Sequence, residues 1–169
     1  FYGAANLRRV PIASPETNIA FADLEDNGKA ALINLRAGGF RVSIRYDIYN
    51  YPQSNEITEI AVPFRANSVN VADFNKDGIL DLFVSPIDGP QAMLLFGQGD
   101  RKYKTQLFDF KHKAYSCAVG DLNNDGVLDA VTSSHFEISI LFGSNSGGEF
   151  KFLEPKIVTT DVLTTRVSM

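Results

Sequence analysis

The chain has 169 residues, 44% of them hydrophobic, which is enough for the core of one ordinary domain. Its 16 Lys and Arg against 20 Asp and Glu give a net charge of −4, which argues against electrostatic capture of nucleic acid as its task. No window approaches eighteen consecutive apolar residues, so no helical membrane span is expected, and the single cysteine, Cys117, excludes an intrachain disulfide.

The acidic residues are grouped rather than scattered. Residues 21–35 (FADLEDNGKAALINL), 71–85 (VADFNKDGILDLFVS) and 119–133 (VGDLNNDGVLDAVTS) carry one pattern. Their leading aspartates, Asp23, Asp73 and Asp121, lie 50 and 48 residues apart. Self-similarity at such a period marks a repeat architecture. Two of the segments are followed by an apolar run ending in Phe-Gly, Met93–Gly97 and Ile140–Gly143.

In chain order, residues 1–17 are expected to finish a preceding repeat, since Phe1-Tyr2-Gly3 resembles the Phe-Gly run. Residues 18–67 form a repeat with an altered acidic loop. Residues 68–115 predict strands over Ser68–Asp73, Leu80–Ser85, Ala92–Phe96 and Tyr103–Phe110. Residues 116–165 predict strands over Ser116–Asp121, Leu128–Ser133, Glu137–Phe142 and Phe150–Leu153, and residues 166–169 start the next repeat. Short β-branched and aromatic runs bounded by Gly, Pro, Asn and Asp read as strands, and no capped helix of ten residues is visible.

The strand before each loop alternates. Ile19/Phe21, Val69/Val71 and Cys117/Val119 point to one side; Ala20/Ala22, Asn70/Ala72 and Ala118/Gly120, nearly all small, point to the other. Four strands in about 50 residues with a crowded first strand predict an all-β chain, a β-propeller of four-stranded antiparallel blades. About three and a half blades are expected here, as part of a larger propeller completed by the same protein or another chain.

The loops carry the chemistry. Asp73-Phe74-Asn75-Lys76-Asp77-Gly78-Ile79-Leu80-Asp81 and Asp121-Leu122-Asn123-Asn124-Asp125-Gly126-Val127-Leu128-Asp129 are both D-x-N-x-D-G-x-x-D. Oxygens of Asp73, Asn75, Asp77 and Asp81, with the Ile79 carbonyl, could meet at one ion. Asp121, Asn123, Asp125, Asp129 and the Val127 carbonyl repeat the set. An all-oxygen site suits Ca²⁺, whereas Zn²⁺ would call for His or Cys. An EF-hand would need Glu at position 12, and those positions hold Val84 and Thr132. The first loop, Asp23–Ala31, has Glu25 at position 3 and Ala31 at position 9, so it is expected to keep the turn and lose the metal.

On these loops and the Phe-Gly runs, the chain resembles the FG-GAP/VCBS calcium-binding repeats. Those occur in integrin α-subunit propellers, certain fungal lectins and many secreted bacterial and algal proteins. The resemblance implies a propeller of about seven blades, with calcium held between the first two strands of a blade. The first repeat departs from the family in its loop and in lacking Phe-Gly after Phe40–Tyr46.

Enzyme signatures are missing. His112 and His135 lie in unrelated contexts, and no nucleophile elbow, Walker loop or zinc-protease motif is present. Cys117 reads as buried packing, and Arg8-Arg9, Arg101-Lys102 and Lys111–Lys113 read as solvated loop charge. The expected function is a non-catalytic, calcium-stabilised scaffold for extracellular recognition or adhesion, taking a protein or glycan ligand. Its candidate binding loops are Arg36–Phe40, Pro86–Gln91 and Gly97–Tyr103. The absence of Trp weighs against the lectin version. The alternative is the propeller of, or support for, a secreted carbohydrate-active enzyme.

Overall fold

The structure is a computed structural model describing residues 16–36, 39–50, 56–146 and 149–160. The readings of residues 1–15 as the end of a preceding blade, of residues 161–165 as the end of the third, of residues 166–169 as the start of the next, and of Arg8-Arg9, fall outside these residues.

Three four-stranded antiparallel sheets follow one another along the chain. The first runs β1 (Glu16–Ala22), β2 (Ala31–Arg36), β3 (Arg41–Arg45) and β4 (Ile57–Ala61) in spatial order. The second runs β5 (Ala66–Ala72), β6 (Asp81–Pro86), β7 (Gly89–Gly97) and β8 (Tyr103–Ala114). The third takes β9 (Ser116–Gly120), β10 (Asp129–Ser133) and β11 (Glu137–Leu141), then skips β12 (Gly143–Ser144) and β13 (Lys151–Phe152) to end on β14 (Lys156–Thr159). Among the described residues there is no α-helix, only a 3-10 turn at Ile48–Asn50. Each sheet has the build of a propeller blade.

One predicted strand is corrected. Phe150–Leu153 is not the fourth strand of the third sheet; Lys156–Thr159 pairs with β11 in that place. Lys151–Phe152 instead forms a small hairpin with Gly143–Ser144. The aromatic side chains decide this. Phe150 meets Phe74 edge-on at 5.5 Å, and Phe152 meets Phe108 at 4.9 Å and Phe83 at 5.8 Å. The hairpin thus caps the core between the second and third sheets, where such ring pairs add to simple burial.

The second sheet is covered on both faces. Leu82, Val84, Met93 and Leu95 join a core shared with Ile33, Leu35, Val42 and Ile44 of the first sheet. The intervening Phe83, Ala92, Leu94 and Phe96 join a second core with Ala130 and Leu141 of the third. Every residue of β6 is therefore buried, including the polar Asp81 and Ser85. The outer strands are the wet ones, as β14 shows along its whole length.

The alternation in the first strands sets how the sheets meet. β1 packs against β5, and β5 against β9. Val69 and Val71 enter the first core, where Ala20 and Ala22 face them; Cys117 and Val119 enter the second, facing Ala72. Large side chains of one first strand thus fit the small face of the strand before it. Ile19 and Phe21 point the other way and are 41% and 63% exposed.

Cys117 is buried, and burial pushes its thiol well above the ordinary range. A thiol reagent is expected to leave it unmodified in the native protein and to label it fully in denaturant. Rapid native labelling would show that the seam between β5 and β9 opens readily.

Candidate metal loops

Each acidic loop joins the first two strands of its sheet, and all three follow one backbone path. Position 4 has positive φ in each (Asp26 50°, Lys76 62°, Asn124 57°), as does the glycine at position 6 (Gly28 78°, Gly78 86°, Gly126 80°). Left-handed conformations suit glycine, and Asn or Asp adopt them more readily than most residues.

The position-1 carboxylate organises the turn. Asp73 accepts from the Asp77 N–H at 3.2 Å and the Gly78 N–H at 2.9 Å; Asp121 accepts from Asp125 at 3.2 Å and Gly126 at 2.8 Å. The position-3 amides reach the same donors, Asn75 Oδ1 at 3.1 Å from Asp77 N and Asn123 Oδ1 at 3.0 Å from Asp125 N. Asp77 and Asp125 accept in turn from the N–H of Ile79 (2.8 Å) and Val127 (2.7 Å). Two side-chain oxygens, from positions 1 and 3, therefore converge on one donor in both loops.

Position 9 is different. Asp81 and Asp129 have no exposed surface. Asp81 accepts from the Phe74 N–H at 2.9 Å and the Gly97 N–H at 2.8 Å. Asp129 accepts from the Leu122 and Gly143 N–H groups, both at 2.8 Å. Each carboxylate thus pins the start of its loop to the glycine of the Phe-Gly run. Burial pushes Asp81 up to about 6, against the pull of these N–H groups. The sequence pattern assigns these two aspartates a ligand role alone; the Phe-Gly run that follows each loop is visible in the sequence, but its contact with the position-9 carboxylate is not.

Those glycines have no room for a side chain. A Cβ on Gly97 would stand 2.6 Å from the Leu80 carbonyl oxygen, and one on Gly143 would stand 2.2 Å from that of Leu128. Position 2 anchors the loop from below: Phe74 is fully buried in the second core and Leu24 packs on the first, while Leu122 is 41% exposed.

The segment from Asp73 to Thr132, which holds both complete loops, matches the family model of the FG-GAP-like repeat. Those residues form an FG-GAP-like repeat segment. No curated protein matches the chain.

Within the matched segment, the donor set fits a hard divalent cation: aspartate and asparagine oxygens at positions 1, 3 and 5, and neither His nor Cys in the loop. Among the described residues, no three His, Cys, Asp or Glu side chains cluster about one point, and both oxygens of each position-9 aspartate accept from backbone N–H groups. The first loop keeps the turn, with Asp23 accepting from Asn27 at 3.1 Å and Gly28 at 2.6 Å. Ala31 offers it no carboxylate at position 9.

Of the candidate binding loops, Pro86–Gln91 is shorter than expected, and residues 37–38 of Arg36–Phe40 lie outside the described residues. Pro86 ends β6 and Gly89 starts β7, leaving a turn of Ile87 and Asp88 between them. Residues 98–102 do form a loop, closed by Lys102 N–H to Gly99 O at 3.0 Å. Arg101 in it is not solvated charge; it is held by Glu25 and Glu56. His135 stacks on Tyr115 at 4.7 Å.

Proposed function

We propose that the loops Asp73–Asp81 and Asp121–Asp129 each bind one Ca²⁺, and that the chain is a blade segment of a propeller for extracellular recognition or adhesion, with a protein or glycan as ligand. The observation carrying this reading is the convergence of Asp73 and Asn75, and again of Asp121 and Asn123, on a single N–H. Two such ions would cancel the net charge of −4. Their role is structural and non-catalytic, because the atoms that would hold them are the atoms that close the loop. A calcium-rich, extracellular setting suits sites of this type.

Further blades are expected on both sides. Ile19 and Phe21 of β1 occupy the places that Val69 and Val71 fill against the first sheet, and Leu122 occupies the place that Phe74 fills against the third. Additional blades of this protein, or of a partner chain, would cover these residues.

Thermal unfolding in calcium and in chelator tests the metal reading. At about ten times Kd, each site adds about 1.4 kcal/mol. Two sites should then raise the melting temperature by roughly 5–10 °C in a protein of this size. An identical melting temperature in both buffers would reduce the loops to plain turns. Solution mass tests the blade reading, since a strictly monomeric protein with Phe21 open to solvent would count against it.

A further inference from the structure

We propose that Arg101 is a built-in cation that serves the first loop in place of a metal and latches the first sheet to the second. The side chain crosses between sheets. Its Nε donates to Glu25 Oε1 at 2.7 Å and its Nη2 to Glu25 Oε2 at 3.0 Å, a two-pronged grip on the residue at position 3 of the first loop. Nη1 donates to Glu56. The guanidinium also lies 4.4 Å from the ring centre of Tyr46, a buried residue of the first core. The Tyr46 hydroxyl in turn stands 3.3 Å from that of Tyr103, just after Arg101 in the second sheet.

The backbone is shaped to deliver this group. Gly99, Asp100 and Arg101 have φ of 71°, 48° and 61° in succession, and two of them carry side chains that make such a conformation costly. The first loop is altered at the matching place. Glu25 replaces the asparagine found at Asn75 and Asn123, and its longer side chain reaches the guanidinium. The second loop keeps Asn75, and in the sequence the fourth residue after Gly97 is Arg101 whereas the fourth after Gly143 is Gly147. In the sequence, the long acid and the long base occur together in one repeat pair and are both replaced in the next.

Charge follows the same logic. Lys29, at position 7 of the first loop, donates to Asp47 at 2.9 Å, so a second protein cation lies beside the turn. Glu25 is held below the usual carboxylate range, chiefly by its hydrogen bonds from Arg101. A loop supplied with its own cations has no need of a divalent ion.

The inference rests on the calcium reading only in its comparison with the other loops, and the latch is tested without calcium. Unfolding of the wild type, Arg101→Ala, Glu25→Gln and the double variant is followed in chelator. Each single change should lower the melting temperature, and the double change should add little. The expected coupling is about a five-fold change in the unfolding equilibrium constant. Additive effects, or an Arg101→Ala protein melting within a degree of the wild type, would overturn the latch. Should the alanine variant fail to fold, Arg101→Lys takes its place in the cycle; it keeps the charge but not the fork, and most of the coupling should vanish. A calcium titration completes the test. No ion is expected at the first loop, so Asp23→Asn should leave the bound calcium unchanged, and loss of an ion in that variant would overturn the substitution.

Discussion

Replacing Asp129 with alanine is expected to destabilise the protein by about 4 kcal/mol, even in chelator. The carboxylate accepts from the Leu122 and Gly143 N–H groups at 2.8 Å each, and it is fully buried. Its removal strands two backbone donors, at about 1–3 kcal/mol apiece, and leaves a small void. Against a typical net stability of about 5–15 kcal/mol, that is a large share. Asp129→Asn should recover only part of the loss, because an amide presents one acceptor and one donor to two N–H groups. The contrast is Asp125→Ala in the same loop. Its side chain is exposed, so in chelator it should cost little, yet it should weaken the calcium-induced rise in melting temperature. Chelator melts of the two variants separate the framework from the ion. If Asp129→Ala unfolds in chelator at the wild-type temperature, the buried clamp has no energetic role.

The second large effect is expected at Gly143. An alanine Cβ there would lie 2.2 Å from the Leu128 carbonyl oxygen and 2.8 Å from Val127 Cγ1. The first obstacle is backbone, and it belongs to the loop that Asp129 clamps, so neither side yields easily. A cost of about 3 kcal/mol is expected, at the upper end of ordinary overpacking. Gly99→Ala provides the comparison. Its φ of 71° disfavours a side chain, but nothing stands within 4 Å of the added carbon, so the penalty should stay near about 1 kcal/mol. Urea unfolding of both variants gives the order. Equal penalties at the two positions would mean that backbone conformation, not close approach, explains the glycine of the Phe-Gly run.

Much of this was legible from residue order. Val69/Val71 against Asn70/Ala72 gave the two faces of β5, and the structure puts the large side chains into one core and Ala72 into the other. The aspartate and glycine spacing gave the loop path, since a left-handed bend at position 6 is a local property of the chain. Residue order does not single out the fourth strand of the third sheet, because Phe150–Leu153 and Lys156–Thr159 are both short and β-prone. Only the aromatic core at Phe74, Phe83 and Phe108 favours turning Phe150 and Phe152 inward.

The sequence by itself determined what is local or periodic: the repeat, the strands of the second sheet and the oxygen-rich loops. Strand alternation, turn chemistry and ligand spacing each act over a few residues, so their rules apply before the chain folds. Tertiary structure decided which polar group meets which. Asp129 reaches Gly143 across 14 residues, Asp81 reaches Gly97 across 16, and Arg101 reaches Glu25 across 76. A carboxylate or guanidinium in a loop has the same chemistry whether it is solvated, clamped or paired. What separates those states is burial and the direction of a distant donor, and these arise only when the sheets pack.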